Sequence, residues 1–386
     1  MRAVIWRKCM ETRNLLKIIL INTIILFSLS YNNSFAAVTT TEIAKLANSL
    51  APGEWGELTT TGADNAFSAS NSIFEYCDKM VWDPVVKQVL FYGSSDPGGA
   101  QNTKFIRYLA STNAWDILPD PPFTGGIKHS YKHLAIDVKG RRMYYRPMGP
   151  DNRNFYSIGL DNLPAGWTKE ADISGLSYVQ DASALSYFGA RNSIILNSGS
   201  SNKGHGLTEF SLVDKTWKSI PGTFKPAGVL HSIIECNPVH NVCIFGGGDD
   251  TNNLWKLNPD LTTVDLGAAT PVGNLDTRFA NTTVDPGTGD YLILTRDNKF
   301  YRYDVTTGAA GTWYLVGQGA SIPPFNGYTS NAPTFHMSST PISTYGVVMY
   351  VQWRDTGSKV WLYKHSPNSG TEIILPDKPA KPAISR

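Results

Sequence analysis

Short apolar runs, rich in Tyr, Phe, Val, Ile and Thr, alternate along the chain with polar breaks carrying Gly, Pro, Asn and Asp. Their period is that of β-strands, with little helix-type spacing. The runs fall into six sets. Each set opens with two runs joined by an Asp-Pro-like turn: FEYCDKMVWDPVVKQVLFYG from Phe74, HSYKHLAIDVKGRRMYYR from His129, DASALSYFGARNSIILNSG from Asp181, HSIIECNPVHNVCIFGGG from His231, RFANTTVDPGTGDYLILTR from Arg278 and TFHMSSTPISTYGVVMYVQ from Thr334. A third run follows: TKFIRYLA, RNFYSIGL, GLTEFSLV, NNLWKLNP, NKFYRYDV and SKVWLYKH. A fourth, centred on AWDIL, GWTKE, TWKSI, TTVDL and TWYLV, completes five of the sets.

The sixth set stops after its third run, and the missing run stands near the other end of the chain as EWGEL, from Glu54. Trp115, Trp167, Trp217 and Trp313 mark the fourth runs, and Trp55 holds the same place in the displaced one. A repeat of about fifty residues carrying four strands is the mark of a circular array of sheets. Such a ring has no open strand edges once its first and last sheets are joined, and an N-terminal strand completing the last sheet joins them. The pattern therefore predicts an all-β chain: a six-bladed β-propeller of four-stranded antiparallel blades over residues 51–366, closed by a strand at 54–58.

The segment before the ring reads differently. Arg2, Arg7, Lys8, Arg13 and Lys17 precede the apolar run IILINTIILFSLS, and Ser34-Phe35-Ala36 offers small residues before Ala37. The run is shorter than the roughly 18–20 residues of a spanning helix, so residues 1–36 are expected to be an export signal that is removed. Residues 37–50 form a lead segment, with a short helix expected from Glu42. Residues 367–386 form a Pro-rich tail.

Without residues 1–36 the chain holds 29 basic and 31 acidic residues, a net charge of −2. No basic stripe remains, which disfavours nucleic acid as a partner. The expectation is a secreted or periplasmic monomer, off the membrane once the signal is gone. Cys236 and Cys243 flank the turn Asn-Pro-Val-His-Asn-Val and face each other across a hairpin, which suits a disulfide in an oxidising compartment and equally two buried thiols. Cys77 is left alone.

In a propeller, the links entering the first strands and those joining second to third strands share one face, where loops vary on a rigid frame. Aligning the sets places Cys77, Tyr131, Asp181, His231, Phe279 and Thr334 at one level of the inner strands. Lys79, His133, Ser183, Ile233, Asn281 and His336 lie two residues on, and Glu75, His129, Val179, Val229, Thr277 and Ala332 two residues back. Strand alternation gives these three sets one orientation. His129, His133, His205, His231 and His336 are thus placed on or near one face, with Tyr131 and Asp181, while Arg278 falls on the opposite parity.

The fourth-strand Trp, the aromatic third strand and the run Gly246-Gly247-Gly248 resemble kelch repeats, similar to the propeller of galactose oxidase, across roughly residues 50 to 366. The glycine run follows the second strand only in the fourth set, whose fourth strand lacks Trp. A second, more distant resemblance is to secreted propeller polysaccharide lyases of the His/Tyr type, whose residue types HSYKH at 129–133 matches. That resemblance implies β-elimination on uronic-acid glycans, with His133 or His231 as base, Tyr131 as acid and Arg278 neutralising the substrate carboxylate. Galactose-oxidase likeness also raises copper-radical chemistry, with Cys77 beside Tyr76, but the short tail supplies no further ligand domain.

Inner-strand His and Tyr serve equally well as packed rings with polar tips. The reading with more weight is a noncatalytic binding module for a glycan or protein ligand on that face. Its candidate ligand-binding residues are His129, Tyr76, Asp181, His336, His205, Arg146, Trp353, Arg354 and Tyr328, the last in the long loop 317–333. No cofactor is predicted; Asp249 and Asp250 are a weak calcium pair. Asn281-Thr282-Thr283 is a glycosylation sequon on an inner strand, expected to be unmodified.

Overall fold

The computed structural model describes residues 40–68, 72–94, 103–123, 129–148, 153–200, 204–224, 230–249, 251–325, 337–354, 357–367 and 370–373. The export signal therefore lies outside the described residues. From Thr41 onward the chain is a six-bladed propeller. Blade 1 is built from Val81–Asp83, Gln88–Ser94, Thr103–Leu109 and Ala114–Leu118; blade 2 from Leu134–Asp137, Arg142–Tyr145, Tyr156–Gly159 and Trp167–Lys169. Blade 3 comprises Ala184–Phe188, Ser193–Ser200, Gly204–Ser211 and Trp217–Phe224, and blade 4 Ile233–Asn237, Val242–Gly246, Asn253–Leu257 and Thr263–Ala268. Blade 5 holds Ala280–Val284, Tyr291–Thr295, Lys299–Asp304 and Thr312–Gln318. All pairings within a blade are antiparallel.

Blade 6 takes Met337–Ile342, Val347–Arg354 and Gly357–Tyr363 from the end of the chain and Trp55–Glu57 from its beginning, in register Trp55↔Tyr363 and Glu57↔Trp361. Trp55 locks this closure. Its ring lies 4.6 Å from Tyr363, 5.1 Å from Tyr350 and 5.2 Å from Phe300 of blade 5, so one side chain joins the closing strand to two blades. Two other repeat tryptophans do the same work at other seams: Trp217 packs on Phe155 of blade 2 and Phe210 of its own blade, and Trp167 on Phe105 of blade 1 and Tyr145 of its own. Tilted and edge-to-face aromatic pairs of this kind add to area burial, which fits the recurrence of the residue in five of the six blades.

A helix at Glu42–Ser49, capped by the Thr41 side chain, buries Ile43, Ala44 and Ala47. Gly56 lets Leu46 and Leu50 of this segment lie close against the closing strand. Two elements go beyond the sequence pattern. A short helix at Ala63–Phe67 carries Phe67 onto Phe74 and Trp115. Within the expected tail, Thr371–Ile373 adds a fifth strand to blade 5 by pairing with Trp313–Leu315. That strand covers a fourth-strand edge on the rim.

Cys236 and Cys243 are directly paired across the blade 4 hairpin and form a disulfide. Cys77 is a buried free thiol, its pKa pushed up to about 12 by burial.

Candidate functional site

At the mouth of the channel, where the chain enters the first strands, Tyr76, Tyr131 and His231 all have left-handed backbones, with φ of 55°, 41° and 62°. Bulky side chains rarely adopt this region, and each such residue costs about 1 kcal/mol or more against glycine. The conformation is held by bonds between blades. The His231 N–H donates to Ala182 O (3.1 Å), and its carbonyl accepts from Thr277 N (3.3 Å). Tyr131 pairs in parallel with Cys77.

These backbone turns aim three rings together. The Tyr76 ring lies 5.6 Å from His231 in a stacked arrangement and 4.4 Å from His129; Tyr131 lies 5.5 Å from His231 and 5.7 Å from His129. Tyr76 is half-buried, while His129, Tyr131 and His231 keep only a few per cent of their surface open. Burial raises the Tyr131 phenol above its ordinary value, so it remains a proton donor.

The glycine run brings a carboxylate to this cluster. Gly246, Gly247 and Gly248 all have positive φ, and a Cβ on Gly247 would strike Leu275 O. The Gly247 N–H donates to Asn253 O and that of Gly248 to Leu275 O, so the turn delivers Asp249 to His231. Asp249 Oδ1 accepts from His231 Nδ1 at 2.7 Å, which fixes the imidazole with its basic nitrogen at Nε2. The same oxygen lies 2.6 Å from Arg278 Nη2. Arg278 in turn makes a two-pronged pair with the buried Asp276, at 3.2 and 3.0 Å. With two carboxylates already on it, Arg278 is a weak choice to neutralise a third.

Strand parity had turned Arg278 away from the mouth; the structure brings it in, because Asp276 Oδ1 also accepts the Arg278 backbone N–H at 2.8 Å and turns the residue before the strand begins. The opposite correction applies to His133. The left-handed Tyr131 interrupts simple alternation, so Lys132 points into the channel and reaches Thr282 O at 2.7 Å, while His133 is buried between blades 2 and 3. His133 Nε2 lies 2.9 Å from Arg146 Nη1, which can only donate, and so it carries the lone pair there. Burial, and then Arg146, hold its pKa well below the usual range. It has no basic nitrogen to offer a substrate, and the role of base assigned to it is withdrawn.

Arg146 is likewise corrected. It is fully buried, donating to Asp181 O and Gln180 O at 2.9 and 2.7 Å, and burial brings its pKa down to about 10. It ties blade 2 to blade 3 and is not a ligand-facing group. Asp181 is half-buried beside this tie. Trp353 is half-buried and packed on the hydrophobic core, which leaves little of its face for stacking. His205 and Arg354 have described backbones only, on the third strand of blade 3 and the second strand of blade 6. Tyr328, His336 and Asp250 lie outside the described residues. Asn281 is buried and donates to Asp78 O, so its sequon is inaccessible.

Outward from Arg278, its guanidinium and that of Arg296 lie 5.0 and 5.6 Å from the Phe279 ring. Phe279, Asn274, Thr295, Arg296 and Asp297 line an open cleft of about 360 Å³ beside the mouth.

Deeper in the channel, residues that sequence reasoning had not grouped form a closed charge network. Lys132 Nζ lies 2.9 Å from Asp78 and 3.6 Å from Glu235, and Lys79 Nζ lies 3.2 Å from Glu235. Two cations thus offset two carboxylates across blades 1, 2 and 4. In the aligned repeats Asp78 and Lys132 hold one position, directly after Cys77 and Tyr131, while Glu235 lies four residues after His231, so no single repeat position marked the network.

Neither a family model nor a curated protein matches the sequence. The kelch resemblance therefore gains no support beyond the propeller architecture. Among solved structures, the chain is similar to a structural-genomics protein of unknown function from Bacteroides thetaiotaomicron VPI-5482, at 14% identity and TM-score 0.52, over 80% of this chain and 75% of that one. It is also similar to TolB from Acinetobacter baumannii, at 10% identity and TM-score 0.40, over 76% of this chain and 55% of that one. The first of these likenesses concerns the fold alone.

Proposed function

We propose that this protein is an exported binding module that takes a carbohydrate on the channel mouth, centred on Tyr76, His129, Tyr131 and His231. The observation that carries this reading is the convergence of three bulky residues in left-handed backbone, which a glycine or asparagine turn would relieve. Strain of that kind is retained where the side chains have work to do. Ring faces suit the apolar faces of a sugar, and the imidazoles, phenols and Asp249 suit its hydroxyls. The adjoining cleft beside Phe279 gives a chain of sugars a direction to run. The disulfide and the basic-then-apolar N-terminal sequence support export.

The test is a glycan array probed with the chain from Ala37, followed by calorimetric titration of any hit. Binding that weakens at least tenfold in Tyr76→Asn supports the module; binding unchanged by that substitution removes the mouth from consideration.

A second reading, β-elimination on a uronic-acid glycan, is favoured by the Asp249-oriented His231 beside the protonated Tyr131 phenol. His231 Nε2 would take the C5 proton and Tyr131 would give one to the leaving oxygen. Ultraviolet absorbance of unsaturated uronate, appearing with the native chain and absent in His231→Ala, would establish it. A flat trace on every acidic glycan leaves the binding module.

A further inference from the structure

The inner strands also have a second end. Where they turn into the second strands, a cavity of about 540 Å³ opens on the face opposite the His/Tyr mouth. Every blade contributes one wall, among them Trp82, Ile136, Tyr187, Val239, Pro286 and Pro341. Its floor is the Lys79–Glu235 pair, so the charge network separates it from the mouth. Solvent-exposed Val85, Val86 and Val239 stand on the rim turns.

We infer that this cavity is a second binding site, for a small uncharged apolar molecule bearing a hydroxyl or carbonyl head, which enters end-on along the channel axis. The volume lies within the range of about 300–1,000 Å³ typical of small-molecule sites, and the lining has their mix of apolar walls and few polar groups. Six walls from six blades enclose an occupant on all sides, which suits a small molecule rather than a protein surface. Charge decides the head group. Lys79 already donates to Leu185 O, Ser186 Oγ and Glu235, and Lys132 to Thr282 O, with Asp78 and Glu235 balancing both cations. A charged ligand would upset that balance in a low-dielectric site, whereas a neutral head shares a hydrogen bond with it.

The test is fluorescence titration of the chain from Ala37 with the neutral, carbonyl-bearing probe 6-propionyl-2-(dimethylamino)naphthalene and the anionic probe 1-anilinonaphthalene-8-sulfonate. The site predicts saturable, one-to-one enhancement with the neutral probe and at least tenfold weaker binding of the anionic one. Ser343, exposed on the cavity rim, is the handle. Ser343→Trp weakens the neutral probe at least tenfold, Ser343→Ala leaves it unchanged, and Tyr76→Asn at the other mouth leaves it unchanged, with circular dichroism confirming that each variant is folded. No enhancement, equal affinity for the two probes, or equal binding by Ser343→Trp would each overturn the inference. Failure here leaves the glycan reading intact, because that reading rests on the other mouth.

Discussion

Asp249 Oδ1 is shared: it lies 2.7 Å from His231 Nδ1 and 2.6 Å from Arg278 Nη2. One carboxylate therefore sets both the tautomer of the imidazole and the position of the guanidinium. A hydrogen bond to a charged group is worth about 1.5–3 kcal/mol, or roughly ten- to hundredfold in affinity. Because both bonds lie within the protein, Asp249→Asn is expected to lower stability by about that amount and, with the imidazole no longer oriented, to weaken the mouth ligand in calorimetric titration. An unchanged affinity would show that His231 needs no orienting partner.

Tyr76 is the most open of the three left-handed residues. Asparagine adopts this backbone more readily than tyrosine, so Tyr76→Asn is expected to be neutral or stabilising, within about 1 kcal/mol, while ligand binding falls. Urea unfolding and titration on the same sample decide it. A large loss of stability would mark Tyr76 as a packing residue instead.

Trp55→Ala removes the ring that joins the closing strand to Phe300, Tyr350 and Tyr363. Truncating a packed tryptophan costs about 3–5 kcal/mol. The expected result is a lower urea midpoint and faster amide exchange in blade 6 than in blade 3, whose four strands are contiguous in sequence.

The disulfide spans a sequence separation of seven residues. Loop-closure entropy for a loop of this size gives about 2.5 kcal/mol. Replacing Cys236 and Cys243 by serine together is expected to lower stability by roughly that amount, and reductant to do the same to the native chain only. Equal stability of the two forms in oxidising buffer would contradict this.

Burial raises the Asp78 carboxyl from 3.8 to about 6 in spite of Lys132 beside it. Between these values the folded state binds more protons at this site than the unfolded state, so its contribution to stability falls as pH rises through that window. Asp78→Asn removes this term. The difference in urea midpoint between native and variant chains, measured from pH 4 to 6.5, should therefore change steadily across the window, the native chain losing ground relative to the variant as pH rises. A constant difference would mean that Asp78 titrates normally.

The fold was legible because its signals are local and repeated. Strand alternation, hairpin turns and a fourth-strand tryptophan in five of the six sets report blade structure directly, and the displaced EWGEL run reported closure because a ring with a missing strand must find it elsewhere. The helix from Glu42 was likewise marked by its own capping residues and apolar spacing. The site was only half legible. Tyr131, His129 and His231 were placed on one face by alignment and do converge there. Alternation failed at Tyr131, where a left-handed residue ahead of the strand reset the parity, sending Lys132 inward and His133 between the blades.

Sequence by itself thus determined the number of blades, their order, the closing strand and the residue types gathered at the channel mouth, since each follows from contacts among residues close in sequence or equivalent by repeat. Only the tertiary structure decided which of those residues converge at the channel mouth and which are buried between blades. That choice rests on bonds between blades, Arg146 to Asp181, His231 to Ala182 and Asp249 to Arg278, and on a ring of six turns that encloses a cavity no single repeat contains. Such contacts join residues tens of positions apart and leave no local pattern in the chain.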